Sequence, residues 1–288
     1  MNEVIYSAGA ETIDRTKEAG SGLLPFFVLT FLTSWAIWSG LFWPSFREVS
    51  PLLVTCVGAY APTAWGIYFT HRHSGNAGLR DLFARLIRVR VPVAWLLAAI
   101  LLKPLCETFT AGLATLFLGQ TPAFSAHYLT PQFVLWVMVV GGPLNEELGW
   151  RGFALPRLLQ KRSPLAASVG LGVVWAFWHL PLFFAPGWPG RGQWLTIYVV
   201  SVVCFSIFMT AAHLGTRGSL LIAVLFHTSG DAAALLWHYP SSTPWLQLCA
   251  LLPWLIVAGT ILTFKRASWL VSPSDNQPAQ PHRVRPNA

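Results

Sequence analysis

Charge is what this chain has least of. Asp, Glu, Lys and Arg make up 10% of its 288 residues, against about 25% in soluble domains, which excludes a fold wrapped in a solvated polar surface. Cysteine is sparse as well: Cys56, Cys106, Cys204 and Cys249 all fall in apolar stretches. They offer neither a disulfide framework nor zinc-knuckle spacing, and read as small core hydrophobes. No internal repeat is visible, and no stretch has the composition of a separate soluble domain. What fills the chain instead is 54% hydrophobic residues, including 15 Trp, at a mean hydropathy of +0.54.

Eight segments reach the ~20 mostly apolar residues that a bilayer requires. They run over 23–43, 51–70, 93–118, 131–155, 164–184, 194–214, 219–238 and 246–264. The first is too long and too rich in Trp for a signal-peptide core and has no Ala-x-Ala cleavage site, so it is a retained span. The expected fold class is all-α, a polytopic transmembrane helical bundle of about eight spans. It divides into an N-terminal tail at 1–22, a membrane domain at 23–266 and a disordered tail at 267–288, the last rich in Pro, Gln and Asn and poor in apolar surface.

Basic residues set the orientation. Arg72, Arg80, Arg85, Arg88 and Arg90 follow the second span, Arg157, Lys161 and Arg162 the fourth, Arg217 the sixth and Lys265 with Arg266 the eighth. These loops face the cytoplasm and put both termini there, although Glu3, Glu11, Asp14 and Glu18 outnumber the bases of the first tail. The net charge of +8 then meets anionic headgroups of the lipid bilayer, and no nucleic acid is called for. Within the first basic loop, Gly78–Arg88 places Leu79, Leu82, Phe83, Leu86 and Ile87 on one helical face, the pattern of an interfacial amphipathic helix.

Ionisable residues inside the spans are few, and such residues are costly unless paired, wet or working. Lys103 and Glu107, four apart, read as a structural ion pair. Glu147 and Arg151 are also four apart, acid first, the favourable helical order. Glu146 lies about 100° round the helix from Glu147 and is less well placed for Arg151, which leaves it as the carboxylate available for a proton. His227 and Asp231 share a helix face, as an imidazole oriented by a carboxylate or as two groups converging on one ligand. His179 stands in Trp175-Ala176-Phe177-Trp178-His179, just before Pro181. Together these residues would supply a general base with metal ligands or oxyanion stabilisers, a set suited to activating water. For Glu146 and His179 to reach one depth, the fourth helix must run to about Leu159, protruding into the cytoplasm, and the fifth must start near Ser168.

The three motifs Glu146-Glu147-x-x-x-Arg151, Trp175-x-x-x-His179 and His227-x-x-x-Asp231 resemble those of the CPBP family of intramembrane proteases. That group includes the type II CAAX prenyl endopeptidases and the bacteriocin-processing or Abi proteins. The likeness covers about 131–235, including the continuation Arg151-Gly152-Phe153-Ala154-Leu155-Pro156. It implies an intramembrane endopeptidase in which Glu146 activates water, His179 and His227 belong to the site, and Glu147 and Arg151 support it. Asp231 departs from the Asn common in the family: an amide can donate to an oxyanion and an ionised carboxylate cannot. The family's metalloprotease label implies a zinc held by His179 and His227 with Glu146 or Asp231, while a metal-free, glutamate-driven scheme uses the same residues.

The expected partner is a membrane-embedded or lipid-anchored protein or peptide, of the CAAX type or a bacteriocin leader. Arg outnumbers Lys fifteen to four, which suggests a GC-rich bacterial genome and a multi-pass protein of the plasma membrane. A proton-coupled transporter and a non-catalytic immunity or scaffold protein are the competing classes. Inverted repeats and broken half-helices, common in transporters, are not evident in the sequence.

Overall fold

Start signals for helices are written plainly at several loop ends. The side chains of Ser163, Ser219 and Thr243 each accept from a backbone N–H three residues on. Pro164 and Pro244 follow directly, in the first turn where no N–H is needed. A computed structural model of the chain describes residues 22–43, 50–186 and 193–271. Its helices are α1 (Leu23–Trp38, extended by a 3₁₀ turn to Phe42), α2 (Pro51–Ala59), α3 (Ala61–Leu86) and α4 (Val93–Leu118). Then come α5 (Pro131–Trp136), α6 (Pro143–Glu147), α7 (Leu155–Leu159), α8 (Pro164–Trp178), α9 (Leu195–Gly215), α10 (Leu220–Ala233) and α11 (Pro244–Leu270). Two-residue strands β1 (Ala123–Phe124) and β2 (Trp237–His238) pair antiparallel.

The all-α bundle expected from composition is what forms, and it is an integral membrane protein by its helices. Among the described residues, five runs are long and apolar enough to cross a membrane: Leu23–Phe42, Pro51–Leu86, Val93–Leu118, Leu195–Gly215 and Pro244–Leu270. α8 and α10 are apolar but shorter. The four cysteines are free, three of them buried. Fully buried Trp38, Trp150, Trp178, Phe26, Phe153 and Phe226 fill the core.

Several boundaries differ from the hydropathy reading. The fourth apolar segment is helical as far as Leu159, but as α5, a π-helical stretch at Val137–Gly141, α6, a second π-helical stretch at Leu148–Ala154, and α7. Gly142, at φ 143° and ψ −40°, breaks the run. Leu148–Leu155 does not protrude: every residue of it is buried, because it packs along α3. There Gly66 and Gly149 let the backbones meet, and a Cβ on Gly66 would lie 2.8 Å from the Gly149 Cα.

The fifth helix starts at Pro164, not near Ser168. The continuation of the fourth helical segment to Leu159 brings the motifs to one depth: Glu146 and Trp175 lie roughly 20 Å and roughly 17 Å along their helices from the turn that joins α7 to α8, at 1.5 Å per residue. The seventh helix ends at Ala233, since Trp237 and His238 join the β pair. α11 runs past 266 to Leu270. The N-terminal tail through residue 21 and the C-terminal tail from residue 272 lie outside the described residues.

Gly75, at φ 56°, interrupts α3, and the following arm ends at Leu86. Its apolar residues are not all on one face. Leu82 is fully buried and clusters with Leu148 and Leu220, while Phe83 and Ile87 are 44% and 76% exposed.

Lys103 and Glu107 pair at 2.6 Å inside the bundle, with the ammonium 5.5 Å and 5.2 Å from the ring centres of Phe205 and Trp254. Removing one partner strands the other charge. Lys103→Met is therefore expected to cost about 3 kcal/mol, read as thermal unfolding in detergent, and adding Glu107→Leu is expected to restore most of it.

Candidate functional site

A buried carboxylate needs donors, and the two glutamates of α6 find different ones. Glu147 is fully buried. Its Oε1 accepts from Arg151 Nη1 at 3.2 Å, the ion pair expected from the spacing, and also from His227 Nδ1 at 2.8 Å, across 80 residues of sequence. A carboxylate can only accept, so the proton sits on Nδ1 and Nε2 is left facing the site.

Glu146, 4% exposed, takes no ion pair among the described residues. Its Oε2 accepts from two indoles, Trp175 Nε1 at 2.7 Å and Trp150 Nε1 at 3.3 Å. Trp150 is one turn on in the same motif, and Trp175 comes from α8. With Oε2 fixed, Oε1 points to the break at Gly142.

Gly142 marks the meeting point. A Cβ there would stand 3.0 Å from Glu146 Oε1, 3.6 Å from Asp231 Oδ2 and 3.8 Å from His227 Nε2. Its φ of 143° suits glycine alone, so the same residue breaks the helix and keeps this space open. Asp231 Oδ2 is 3.6 Å from His227 Nε2, beyond a hydrogen bond. The two converge, as one of the sequence readings had it, but the imidazole is oriented by Glu147 and not by Asp231. The Asp231 side chain is 39% exposed, which makes it the open rim of the cluster.

Trp175 touches every member but Asp231 and Glu147. Besides its bond to Glu146, its ring lies 4.3 Å from the Arg151 guanidinium and edge-on to His227 at 5.3 Å. Its carbonyl accepts from His179 Nδ1 at 3.0 Å. His179 is thus beside the cluster, packed among Trp38, Trp178 and Tyr198. Trp150, Trp175 and Gly142 were not singled out by sequence reasoning. The two tryptophans did stand inside the quoted motifs, Trp150 four after Glu146 and Trp175 four before His179.

Zinc is tested by the donor set. Among the described residues no three His, Cys, Asp or Glu side chains are grouped to hold a metal. Glu146, His227 and Asp231 border one space at Gly142, while His179 lies beside it, bonded to the Trp175 carbonyl. The residues as arranged do not fit the metal.

Comparison with known proteins bears on the same region. A family model described as type II CAAX prenyl endopeptidase Rce1-like matches residues 128–233, the stretch from just before α5 to the end of α10. The chain is also similar to the protein named CAAX prenyl protease 2 of Methanococcus maripaludis, 26% identical over 225 residues, covering 70% of this chain and 80% of that one. The three motifs gathered around one buried carboxylate thus lie in the stretch over which the chain is similar to type II CAAX prenyl endopeptidases.

Proposed function

We propose that the protein is an endopeptidase that hydrolyses a peptide bond of a membrane-attached protein, with Glu146 as the base that activates water. The observation that carries this reading is the asymmetry of Glu146: two neutral N–H donors hold Oε2, and Oε1 is turned to a space shared with His227 Nε2 and Asp231 Oδ2. A carboxylate steadied by neutral donors keeps its charge unneutralised, as a base requires.

Water placed against Oε1 gives a proton to Glu146 as its oxygen attacks the scissile carbonyl. The developing oxyanion is stabilised by His227, whose protonated form donates from Nε2. Collapse of the tetrahedral intermediate breaks the C–N bond, and the proton held by Glu146 passes to the leaving amine. Arg151 and Glu147 keep His227 in place, and Asp231 flanks Nε2 on the open side. No step is assigned to a metal. The substrate class that the relatives' names support is a prenylated CAAX protein, with a membrane-tethered leader peptide as the second.

Three measurements test this. Glu146→Gln keeps the indole contacts and removes the base; it is expected to cut cleavage of a prenylated CAAX peptide or a tethered leader peptide roughly a thousandfold in reconstituted protein. Full activity would overturn the assignment. Trp175→Phe keeps the ring against Arg151 and His227 but deletes one donor to Glu146; kcat should fall about 10- to 100-fold with KM unchanged. Dialysis against a strong chelator is expected to leave cleavage intact, and loss reversed by added zinc would replace the metal-free scheme.

A further inference from the structure

The arm after Gly75 has two unlike faces. One is anchored to the motif that carries Arg151. Leu82 Cδ1 lies 2.7 Å from where a Cβ on Gly152 would be, and Arg85 Nη2 donates to the Gly152 carbonyl at 3.0 Å. Just beyond, Arg88 donates to the Arg217 carbonyl, and the Arg88 carbonyl accepts from Ser219 Oγ at 3.0 Å. The other face is largely open: Arg80, Phe83 and Ile87 are exposed, while Leu86 at its flank also packs on the Leu82 cluster. Leu79, Arg80, Phe83, Leu86 and Ile87 line an open groove of about 650 Å³ there, and Val89 beyond it is 70% exposed.

Position and charge identify what covers that face. The apolar run from Pro51 has already spent the ~20 residues that a bilayer takes by Gly75, so the arm lies past the hydrocarbon, at headgroup level. From Arg80 to Arg90 it carries four arginines, Arg80, Arg85, Arg88 and Arg90, against Asp81 alone. Exposed apolar side chains beside exposed arginines suit acyl chain and anionic headgroup together.

We propose that this arm is a sensor of anionic phospholipid, and that lipid bound to its outer face steadies the Leu148–Ala154 segment through Leu82 and Arg85. Gly152 is the next residue after Arg151, which holds Glu147, which holds His227, so the arm braces the catalytic cluster from behind. The consequence for catalysis rests on the proteolytic reading above; the link from lipid to Leu148–Ala154 does not, and it is the link that the experiment reads.

Full-length protein is placed in nanodiscs of phosphatidylcholine alone and of phosphatidylcholine with phosphatidylglycerol, and amide hydrogen exchange is followed in 76–90 and 148–154. Phosphatidylglycerol is expected to slow exchange in both segments about fivefold at low salt, about the effect of one basic residue at an anionic surface, and high salt should erase the difference. Arg80→Gln with Ile87→Asp, both on the outer face, should abolish the response in both segments. Arg85→Gln should keep it in 76–90 and lose it in 148–154. If neither segment responds to phosphatidylglycerol, or the response survives the outer-face variant, the arm is no lipid sensor. If 76–90 responds and 148–154 does not in the unaltered protein, the coupling is overturned. Neither result depends on finding a substrate.

Discussion

A single oxygen, Oε1 of Glu147, joins the parts of the protein that the site is made of. It accepts from Arg151 in the following turn and from His227 on α10, in surroundings with no exposure to solvent. An unpaired charge at such depth is costly, so the three groups hold one another: each is the reason the others can be buried. The mutual dependence fixes the relation of the Leu148–Ala154 stretch to α10, and with it the direction in which the imidazole presents Nε2. The close backbone approach at Gly66 and Gly149 presses the same stretch against α3 from the other side.

Neighbouring glutamates separated in this way serve different ends. Glu147 is matched to a permanent cation, and Glu146 to two indoles that can donate and do nothing else. Tryptophan meets two needs here at once. Its ring offers the apolar bulk and the cation-facing surface that Arg151 lies against, and its single N–H directs one carboxylate oxygen without cancelling the charge. Trp150 and Trp175 meet these needs at Glu146, and Trp178 backs Trp150 edge to face at 5.6 Å.

Local spacing made a good part of this legible in the sequence. Four-residue intervals gave the Glu147–Arg151 and Lys103–Glu107 pairs, and apolar length gave the helices, because both depend on neighbours within a turn or two. The bond from Glu147 to His227 spans 80 residues and leaves no periodic trace. The π-helical stretches have none either, since their hydrogen bonds run five residues on through side chains that look like any apolar span. Gly141-Gly142-Pro143 was the visible sign of a break, but hydropathy averages over it. The amphipathic arm shows the same limit: a helical wheel groups Leu82 with Phe83 and Ile87, and only the fold decides that Leu82 turns inward.

Position 231 changes meaning once the tertiary contacts are known. Read along α10 alone, Asp231 is the natural carboxylate to orient His227, one turn away on the same face. Glu147 already holds Nδ1, and an imidazole has one further nitrogen, which Asp231 approaches only to 3.6 Å. Orientation of the ring therefore does not require a carboxylate, or any acceptor, at 231. The residue is also the most exposed of the cluster, where solvent lowers the cost of a charge that the interior would not tolerate. An acid can stand at this rim in place of an amide because the inner partner, and not the outer one, sets the geometry of the histidine.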